Sequence, residues 1–199
     1  MHYRLCVRMK PMEKIIRKIQ AIASEKGKCL VAIDGRCSSG KTTYGDFLAK
    51  HLNATLLHMD DFFLRPEQRT PDRYAEAGGN VDRERFLEQI LSVMDKSDTI
   101  MYQPFDCSVM KLGEVQYLPK TKIVIVEGCY SMHPDLIDYY DFRMFLHVDS
   151  EKQMNRIRKR NPDKVEIFRT KWIPLEEKYF KTFRTAKYSD VFIDTSLEW

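Results

Sequence analysis

A glycine-rich segment constrains the fold of this chain more than any other feature. Its residues, Gly35-Arg36-Cys37-Ser38-Ser39-Gly40-Lys41-Thr42, match the pattern GxxxxGK followed by serine or threonine in full. The segment follows a short, continuous apolar run at 29–33 and precedes a stretch of helical character at 42–52. A strand, a glycine turn and a helix in this order predict a phosphate-binding loop (P-loop), because the loop N–H groups and the positive helix end then hold the same anion.

The residue types within this loop indicate which anion it binds. Glycines let the backbone wrap closely around phosphates, Lys41 would reach the terminal phosphates, and the Thr42 hydroxyl would ligate Mg²⁺. The loop therefore predicts a site for a nucleoside triphosphate with Mg²⁺, and a purely structural glycine turn is the alternative interpretation. The residues predicted to bind the nucleotide are Gly35, Arg36, Cys37, Ser38, Ser39, Gly40, Lys41, Thr42 and Thr43.

Apolar runs and helical patterns alternate along the rest of the chain. Further strands are predicted at 54–59, 122–126, 143–148 and 191–193, and helices at 15–22, 82–94, 151–160 and 162–188. Pro174 is expected to bend or split the last helix. The segments 99–105 and 114–118 predict a hairpin that turns at Gly113. Strands that alternate with helices predict an α/β fold with a mostly parallel central sheet, covered on both faces.

The composition narrows the class of protein. The 199 residues include 33 Lys and Arg against 29 Asp and Glu, and the resulting net charge of +4 is too mild for a dedicated nucleic-acid binder. The five cysteines are scattered without a CxxC pair, which argues against a zinc site or disulfide framework and favours reduced thiols. No apolar run suits a signal peptide or a membrane span. We expect one cytoplasmic domain over 1–199, with 1–27 as an N-terminal extension and helix.

Carboxylates are predicted at the ends of two buried strands, where open α/β sheets bind ligands. Asp60 and Asp61 end the second predicted strand, and since neighbouring strand residues point to opposite sides, only one of them should face the phosphates. That carboxylate could take the proton of an attacking hydroxyl or hold Mg²⁺ through water, and a helix cap or turn is the structural alternative. Glu127 ends the third predicted strand, where it would ligate Mg²⁺ or serve a structural role.

A basic run lies on the predicted helix at 151–160. Arg156 and Arg160 are four residues apart and share a face, so together with Arg158 they could clamp phosphates, and a solvated basic face is the common alternative. The histidines show no metal-ligand spacing, and structural or surface roles are expected for His51, His58, His133 and His147. The late aromatic residues are expected to pack rather than to stack on a base: Trp172, Tyr179, Phe180 and Phe183.

The order of these motifs resembles the uridine kinase branch of the P-loop kinases, a group similar to phosphoribulokinase and nicotinamide riboside kinase. The resemblance runs from about Lys28 to about Thr195. The segment Met59-Asp60-Asp61-Phe62-Phe63 is similar to the family's D-S/T-F-Y/F segment, which implies that Asp60 activates the acceptor hydroxyl and puts Phe63 beside the acceptor. Asn80-Val81-Asp82 is similar to a stretch whose aspartate binds the substrate ribose, which implicates Asp82.

The resemblance also implies a hairpin over the acceptor and a Mg²⁺ ligand. Phe105-Asp106 looks like the Y-D pair of the family's hairpin, and Val126-Glu127-Gly128 looks like the strand end whose glutamate assists Mg²⁺. The family hairpin commonly offers a histidine to a pyrimidine base, whereas 107–110 here reads Cys-Ser-Val-Met. The resemblance therefore implies the reaction class more firmly than the acceptor.

The lid of the family has its counterpart later in the chain. Val148-Asp149-Ser150 looks like the strand end that precedes the arginine-bearing lid, which makes Arg156, Arg158 and Arg160 the candidates. The lid is short, because Asn161-Pro162 follows at once. The late segment Lys187-Tyr188-Ser189-Asp190 resembles a K-Y-A/S-D segment of the family.

These features together predict a small-molecule kinase with the three-layer α/β fold of the P-loop NTPases, a small hairpin and a lid. It would transfer the γ-phosphate of ATP, bound with Mg²⁺, to a hydroxyl of a nucleoside-like or other ribose-containing metabolite. The residues implied in transfer are Lys41, Asp60, Arg156, Arg158 and Arg160. Those implied at the acceptor are Asp60, Phe63, Asp82, Phe105 and Asp106. Those implied at Mg²⁺ are Thr42, Glu127 and Asp60.

Two other classes stay open. One is a hydrolytic NTPase or switch, which would need a residue that positions water; its GTPase form would also need an NKxD-type guanine reader, which the sequence lacks. The other is a regulatory nucleotide-binding module that turns over no acceptor. For the kinase we expect a small-molecule acceptor as the partner, neither nucleic acid nor membrane, and homo-oligomerisation is left open.

Overall fold

The computed structural model describes the backbone of residues 2–197 and the side chains of residues 12–197. The strands in this part of the chain are β1 (Cys29–Gly35), β2 (Thr55–His58), β3 (Thr99–Tyr102), β4 (Phe105–Asp106), β5 (Lys111–Leu112), β6 (Gln116–Pro119), β7 (Ile123–Glu127), β8 (Phe142–His147) and β9 (Val191–Asp194). The α-helices are α1 (His2–Lys26), α2 (Lys41–Leu52), α3 (Pro71–Ala75), α4 (Arg83–Gln89), α5 (Pro134–Ile137), α6 (Ser150–Arg160), α7 (Val165–Ile167) and α8 (Ile173–Phe183). None of these helices is long and apolar enough to cross a membrane.

The central sheet has five parallel strands in the order β2-β7-β1-β8-β9. β1 lies in the middle, paired with β7 from Cys29 opposite Ile123 and with β8 up to Gly35 opposite Leu146. Every residue of β1 and of β7 is buried, as expected for parallel strands that are covered on both faces. The predicted α/β fold class is therefore confirmed.

Two apolar cores flank the sheet and make the three layers. One joins α1 and α2 to the sheet through residues such as Ile19, Leu48 and Phe142. The other lies on the opposite face and includes Phe62, Phe86 and Tyr179. Each large side chain buried in this way contributes about 1.5–3 kcal/mol. The sheet is thereby held rigidly, with the carboxyl ends of its strands free to carry functional side chains.

The hairpin forms, but its predicted turn position is wrong. β3 pairs with β6, and β4 pairs with β5 through Phe105 opposite Leu112 and Asp106 opposite Lys111. The turn is therefore at 107–110, where Met110 adopts a left-handed φ of 58° and Asp106 accepts a hydrogen bond from the Ser108 N–H at 2.7 Å. An aspartate that bonds two residues ahead closes such a turn without glycine.

Two predicted helices are shorter than their patterns suggested. α4 ends at Gln89, and after Ile90 (φ −112°, ψ −69°) the chain continues into a 3₁₀ turn at Leu91–Val93. The predicted helix 162–188 is divided into a 3₁₀ turn, α7, a π-helical turn at Phe168–Trp172 and α8. Pro174 stands in the first turn of α8, where its missing N–H does no harm. Because α7, the π-helical turn and α8 follow one another without a gap, Pro174 does not split this helix, and a bend at Pro174 stays a prediction.

The carboxylate of Asp34 joins three parts of the fold. It is fully buried and accepts hydrogen bonds from Gly35 N (2.6 Å), Tyr130 N (3.2 Å), Met132 N (3.0 Å) and the Tyr179 hydroxyl (2.7 Å). Burial raises the pKa of Asp34, and the hydrogen bonds donated to it oppose that rise. Four donors require a group that only accepts, which is the ionised carboxylate. Asp34 thus fixes the end of β1, the turn after β7 and α8 relative to one another.

Replacing Asp34 by asparagine should lower the free energy of unfolding by about 3 kcal/mol, as measured by urea denaturation. The amide NH₂ would face donors, and at least one buried donor would lose its acceptor. Tyr179→Phe removes a single donor and should cost about 1–2 kcal/mol. Asp138→Asn, at an exposed position, is the control and should stay within about 0.5 kcal/mol of the wild type. Equal stability of the Asp34 and Asp138 variants would contradict this account.

Candidate active site

The P-loop leaves β1 at a position where only glycine fits. Gly35 has a φ of 137°, and a Cβ there would lie 2.0 Å from the carbonyl oxygen of Leu146 on β8. Ser38 (φ 58°) and Gly40 (φ 96°) adopt left-handed conformations, and such turns aim successive N–H groups into one concavity. α2 begins directly afterwards at Lys41, so its free N–H groups point to the same place.

Polar side chains of the P-loop have unused hydrogen-bonding capacity. The hydroxyls of Ser38 and Ser39 are buried, and neither has a hydrogen-bond partner among the described residues. Lys41 is 9% exposed, and its Nζ donates to the carbonyl oxygens of Gly35 and Arg36, each at 2.9 Å. Buried donors without a permanent partner are unfavourable unless a ligand satisfies them. The loop therefore has the composition and shape of an anion site.

Acidic groups surround the ammonium of Lys41. Burial by itself lowers the pKa of Lys41, but its neighbours raise that pKa above its usual value; they are Cys129, Glu176, Glu127 and Asp60. A desolvated lysine keeps its proton when opposite charges lie close by. Lys41 is consequently a fixed cation at the P-loop.

Glu127 lies at the carboxyl end of β7 between β2 and α2. The residue is 5% exposed, and its Oε1 accepts a hydrogen bond from the Thr42 hydroxyl (3.2 Å) and lies 2.6 Å from His58 Nδ1. The hydrogen bond to Glu127 raises the pKa of His58. Thr42 and Glu127, both predicted as Mg²⁺ ligands, are therefore neighbours, and His58 joins them although it was expected to be structural or at the surface. In the described part of the chain, no group of three or more His, Cys, Asp or Glu could hold a metal alone.

Asp60 and Asp61 lie on a 3₁₀ turn, Met59–Phe62, because β2 ends one residue before it. Asp60 lines the cleft above the P-loop. Asp61 does not: its Oδ2 accepts from the Tyr102 hydroxyl (2.8 Å), and its carbonyl accepts from Arg85 (2.8 Å). Only Asp60 therefore lies in the cleft, but a turn separates the two carboxylates and not the strand alternation from which the separation was predicted.

The surroundings of Asp60 alter its acidity. Crowding by protein atoms removes hydration and raises the pKa of Asp60, with Glu127 adding to the rise and Lys41 opposing it. Water still reaches the carboxylate through the cleft, so the loss of hydration is partial. Asp60 is therefore a more basic carboxylate than one on the open surface.

The cleft has a volume of about 460 Å³, within the range of small-molecule sites. The P-loop and the start of α2 line it with Cys37, Ser38, Gly40, Lys41, Thr42 and Thr43. The segments after β2, β4 and β7 line it with Asp60, Phe63, Arg69, Asn80, Cys107, Met110, Glu127, Gly128, Cys129 and Tyr130. The lid, which we define as residues 160–172, lines it with Arg160, Lys164, Ile167, Phe168 and Trp172. Trp172 was expected to pack rather than to stack on a base; it lies at the cleft, and that expectation stays a prediction.

The three arginines that the sequence predicted for the lid have different positions. Arg160 lines the cleft. Arg156 donates to the carbonyl of Ser38 (3.0 Å) and to the hydroxyl and carbonyl of Thr195 (3.0 and 2.7 Å), so it braces the P-loop from behind. Arg158 is exposed and donates to Asn155 Oδ1 at 2.9 Å on its own helix. The P-loop residue Arg36 likewise turns away, toward Val148 and Glu177.

Three residues predicted at the acceptor lie outside the lining of this cleft, as far as the chain is described. Asp82 is 1% exposed and caps α4, accepting from Arg85 N at 3.1 Å. Phe105 is 4% exposed, with the Arg69 guanidinium over its ring at 5.4 Å. Asp106 is exposed and closes the hairpin turn. Their direct roles at the acceptor stay predictions, whereas Phe63 does line the cleft.

The fold is found in solved structures, and the sequence has known relatives. No family model matches the chain. The fold is similar to that of a possible uridine kinase from Bacillus stearothermophilus, with a TM-score of 0.65 at 18% identity over 91% of this chain and 100% of that one. Over 179 residues the chain is 31% identical to human nicotinamide riboside kinase 2, covering 84% of this chain and 74% of the relative. The chain belongs to the uridine kinase-like P-loop kinases.

Two further curated proteins match the chain, and one of them is again a nicotinamide riboside kinase. Mouse nicotinamide riboside kinase 2 is 27% identical over 175 residues, which cover 84% of this chain and 87% of that protein. The tRNA-specific adenosine deaminase subunit tad2 of Schizosaccharomyces pombe is 28% identical over 134 residues, or 64% of this chain. The match covers 32% of tad2, so this kinase spans about a third of that relative's length.

The kinase has a cleft residue that the sequence did not single out, Glu176 on α8. It is 6% exposed, and its Oε2 accepts a hydrogen bond from the N–H of Cys37 in the P-loop at 2.9 Å. The next residue, Glu177, pairs with Arg36 at 2.9 Å. Burial raises the pKa of Glu176 from its ordinary value of 4.5 to about 7, and Lys41 opposes the rise. In the sequence, two adjacent glutamates in a polar helix indicate an exposed position. The spacing between Glu176 and Tyr179 was the only sign that Glu176 faces the interior.

Glu176→Gln should alter the pH dependence of the kinase's stability. Because the pKa of Glu176 is raised on folding, the folded state binds a proton more tightly, and the free energy of unfolding falls as the pH rises from about 4.5 to about 7. The glutamine variant lacks this loss, so relative to the wild type it should gain about 2–3 kcal/mol between pH 5 and pH 8.

Urea denaturation at both pH values checks this prediction. Glu177→Gln removes a carboxylate from the adjacent position and should leave the wild-type pH dependence in place. Parallel pH profiles of the wild type and the Glu176 variant would contradict the prediction.

Proposed function

We propose that this P-loop kinase transfers the γ-phosphate of ATP to a hydroxyl group of a small metabolite that is nucleoside-like or otherwise contains ribose. One observation carries the proposal: Lys41 of the P-loop and the solvent-accessible carboxylate of Asp60 line the same cleft. A phosphoryl donor at the P-loop and a hydroxyl at Asp60 would meet in that space. The reaction class rests on this juxtaposition, and the preference for ATP and for ribose rests on the family resemblance.

The P-loop residues fit a triphosphate with Mg²⁺. The buried hydroxyls of Ser38 and Ser39 lack partners among the described residues, and the left-handed turns at Ser38 and Gly40 gather N–H groups toward one anion. Thr42 and Glu127 offer adjacent hard oxygen ligands and would hold the metal. When bound, Mg²⁺ neutralises charge on the β- and γ-phosphates.

Asp60 would act as the general base. It would accept the proton of the acceptor hydroxyl while that oxygen attacks phosphorus, and it would orient the hydroxyl beforehand. The raised pKa of Asp60 brings the carboxylate closer to the operating pH, where a general base is most effective. Asp61 is unsuited to this role because Tyr102 already holds its carboxylate.

The lid would supply charge and exclude water. Arg160 and Lys164 line the cleft and would balance the charge of the group in transfer, together with Lys41. Ile167, Phe168 and Trp172 add apolar surface that would limit wasteful hydrolysis of ATP. Arg156 would contribute through the shape of the P-loop that it braces.

We further propose a single cytoplasmic domain whose partner is a small-molecule acceptor.

An acceptor panel tests the function. ADP release from Mg-ATP is measured with nucleosides, nicotinamide riboside, pantothenate, sugars and sugar phosphates, and the product is checked for phosphorylation. We expect one acceptor class to raise ADP release, and Asp60→Asn to lower that gain by at least about 100-fold. The matched control Asp61→Asn should keep most of it. ATP binding or hydrolysis without stimulation by any acceptor would contradict the kinase and favour an NTPase or a regulatory module.

A Lys41→Ala variant tests the P-loop mechanism separately. Turnover should fall by at least about 100-fold, because the fixed cation at the terminal phosphates is lost. Far-UV circular dichroism and urea denaturation establish whether the variant folds. A folded variant with the wild-type rate would show that phosphoryl transfer does not use this lysine.

A further inference from the structure

Arginines are concentrated between β2 and the end of α4, and most of them hold the segment together. Arg65 pairs with Asp82 (3.3 Å) and Arg73 with Glu84 (2.6 Å). The two later arginines are also paired, Arg83 with Asp135 at 2.8 Å and Arg85 with Asp82 at 3.4 Å. All four of these side chains form ion pairs within the protein.

Arg69 differs from those four arginines. It makes no ion pair with any residue that the structure describes, and it lines the cleft. Its Nε donates to the carbonyl of Leu64 at 2.9 Å, and its guanidinium lies 5.4 Å from the centre of the Phe105 ring. A backbone acceptor and an aromatic face thus hold the side chain, and the Cys107 side chain is a further hydrogen-bond partner. A guanidinium has five N–H donors, so Arg69 keeps donors for a ligand.

Arg69 lies on the acceptor side of the cleft, by which we mean the side formed by the segment after β2 and by the hairpin. Leu64 follows the turn that carries Asp60, and Phe105 belongs to the hairpin. The Cys107 thiol at the hairpin turn is an electrostatic neighbour of both Arg69 and Asp60. The contacts of Arg69 named above are with the segment after β2 and with the hairpin, whereas Lys41 belongs to the P-loop and Arg160 and Lys164 belong to the lid.

Apart from Asp60, the side chains that line this side of the cleft carry no charge that could balance a cation. Phe63, Met110 and Tyr130 are apolar or uncharged, and Asn80 is neutral. Asp60 is the acid of this side, and the proposed reaction needs it at the hydroxyl. A guanidinium that is held in place without a counter-charge is a typical recognition group for carboxylate or phosphate, whose paired oxygens match two N–H donors.

We propose that Arg69 binds an oxyanion group of the acceptor, so that the substrate is a hydroxyl-bearing anion such as a sugar phosphate or sugar acid. This inference rests on the proposed function and narrows it. A cationic acceptor such as nicotinamide riboside meets the Arg69 charge unfavourably, and an uncharged nucleoside leaves Arg69 without an anionic partner.

Matched acceptors test the inference by steady-state kinetics. Ribose 5-phosphate, ribonate, ribose, uridine and nicotinamide riboside are compared in the wild type, in Arg69→Gln and in Arg17→Gln, which removes an exposed arginine of α1. We expect kcat/KM to favour an oxyanion acceptor over ribose by about 10–100-fold, and Arg69→Gln to remove that preference through KM. The KM for ATP and the Arg17 variant should match the wild type. A comparison of kcat/KM for ribose 5-phosphate and for ribonate decides whether Arg69 binds a phosphate or a carboxylate.

Equal use of neutral or cationic acceptors, unchanged in Arg69→Gln, would overturn the inference while the kinase function stands. Calorimetry separates the two failures when no acceptor is turned over. With Mg-ADP saturating the P-loop, ribose 5-phosphate or ribonate should bind the wild type at least about 10-fold more tightly than Arg69→Gln, and ribose should not distinguish them. Such binding without turnover would refute the kinase but support the oxyanion site, and equal affinities would refute the site.

Discussion

The carboxylate of Asp34 is the interaction on which the rest of the site depends. Four donors from three separate parts of the chain converge on it, and an ionised group at that depth is stable only while all of them stay in place. The P-loop begins one residue after Asp34, and Tyr130, which lines the cleft, keeps a left-handed φ of 76° beside it. A strained residue of this kind persists only where its surroundings over-determine it.

Charge balance is the second constraint on the site. Lys41 has Glu176, Glu127 and Asp60 among its neighbours, so acidic groups outnumber the ammonium before any ligand arrives. A bare triphosphate would add to that excess, whereas a divalent cation that accompanies the triphosphate would offset it. Thr42 and His58 moderate the charge of Glu127 from two sides. Metal, lysine and lid cations would therefore act as one set, each effective because the others are present.

The parts of this structure that could be read from the sequence are those set by local signals. The P-loop and the buried strands follow from residue type and spacing over a few positions. The contact of Glu176 with Cys37 spans 139 residues, and Asp34 reaches Tyr179 across 145, so no local pattern encodes either. The turn at 107–110 was misplaced because an aspartate closes it where glycine was expected. Arg69 could not be separated from its four paired neighbours until their ion pairs were visible.

α8 contacts the P-loop at two points, where Glu176 accepts from the N–H of Cys37 and Glu177 pairs with Arg36, and a third contact joins Tyr179 to Asp34 just before the loop. The same helix continues directly from the lid through the π-helical turn. Thermodynamic linkage makes this coupling reciprocal. If a bound nucleotide shifts the position of α8, then a change that shifts α8 by other means alters the affinity for the nucleotide by the same coupling free energy. Substitutions on the outer, solvent-facing side of α8 should thus change nucleotide affinity without touching the nucleotide.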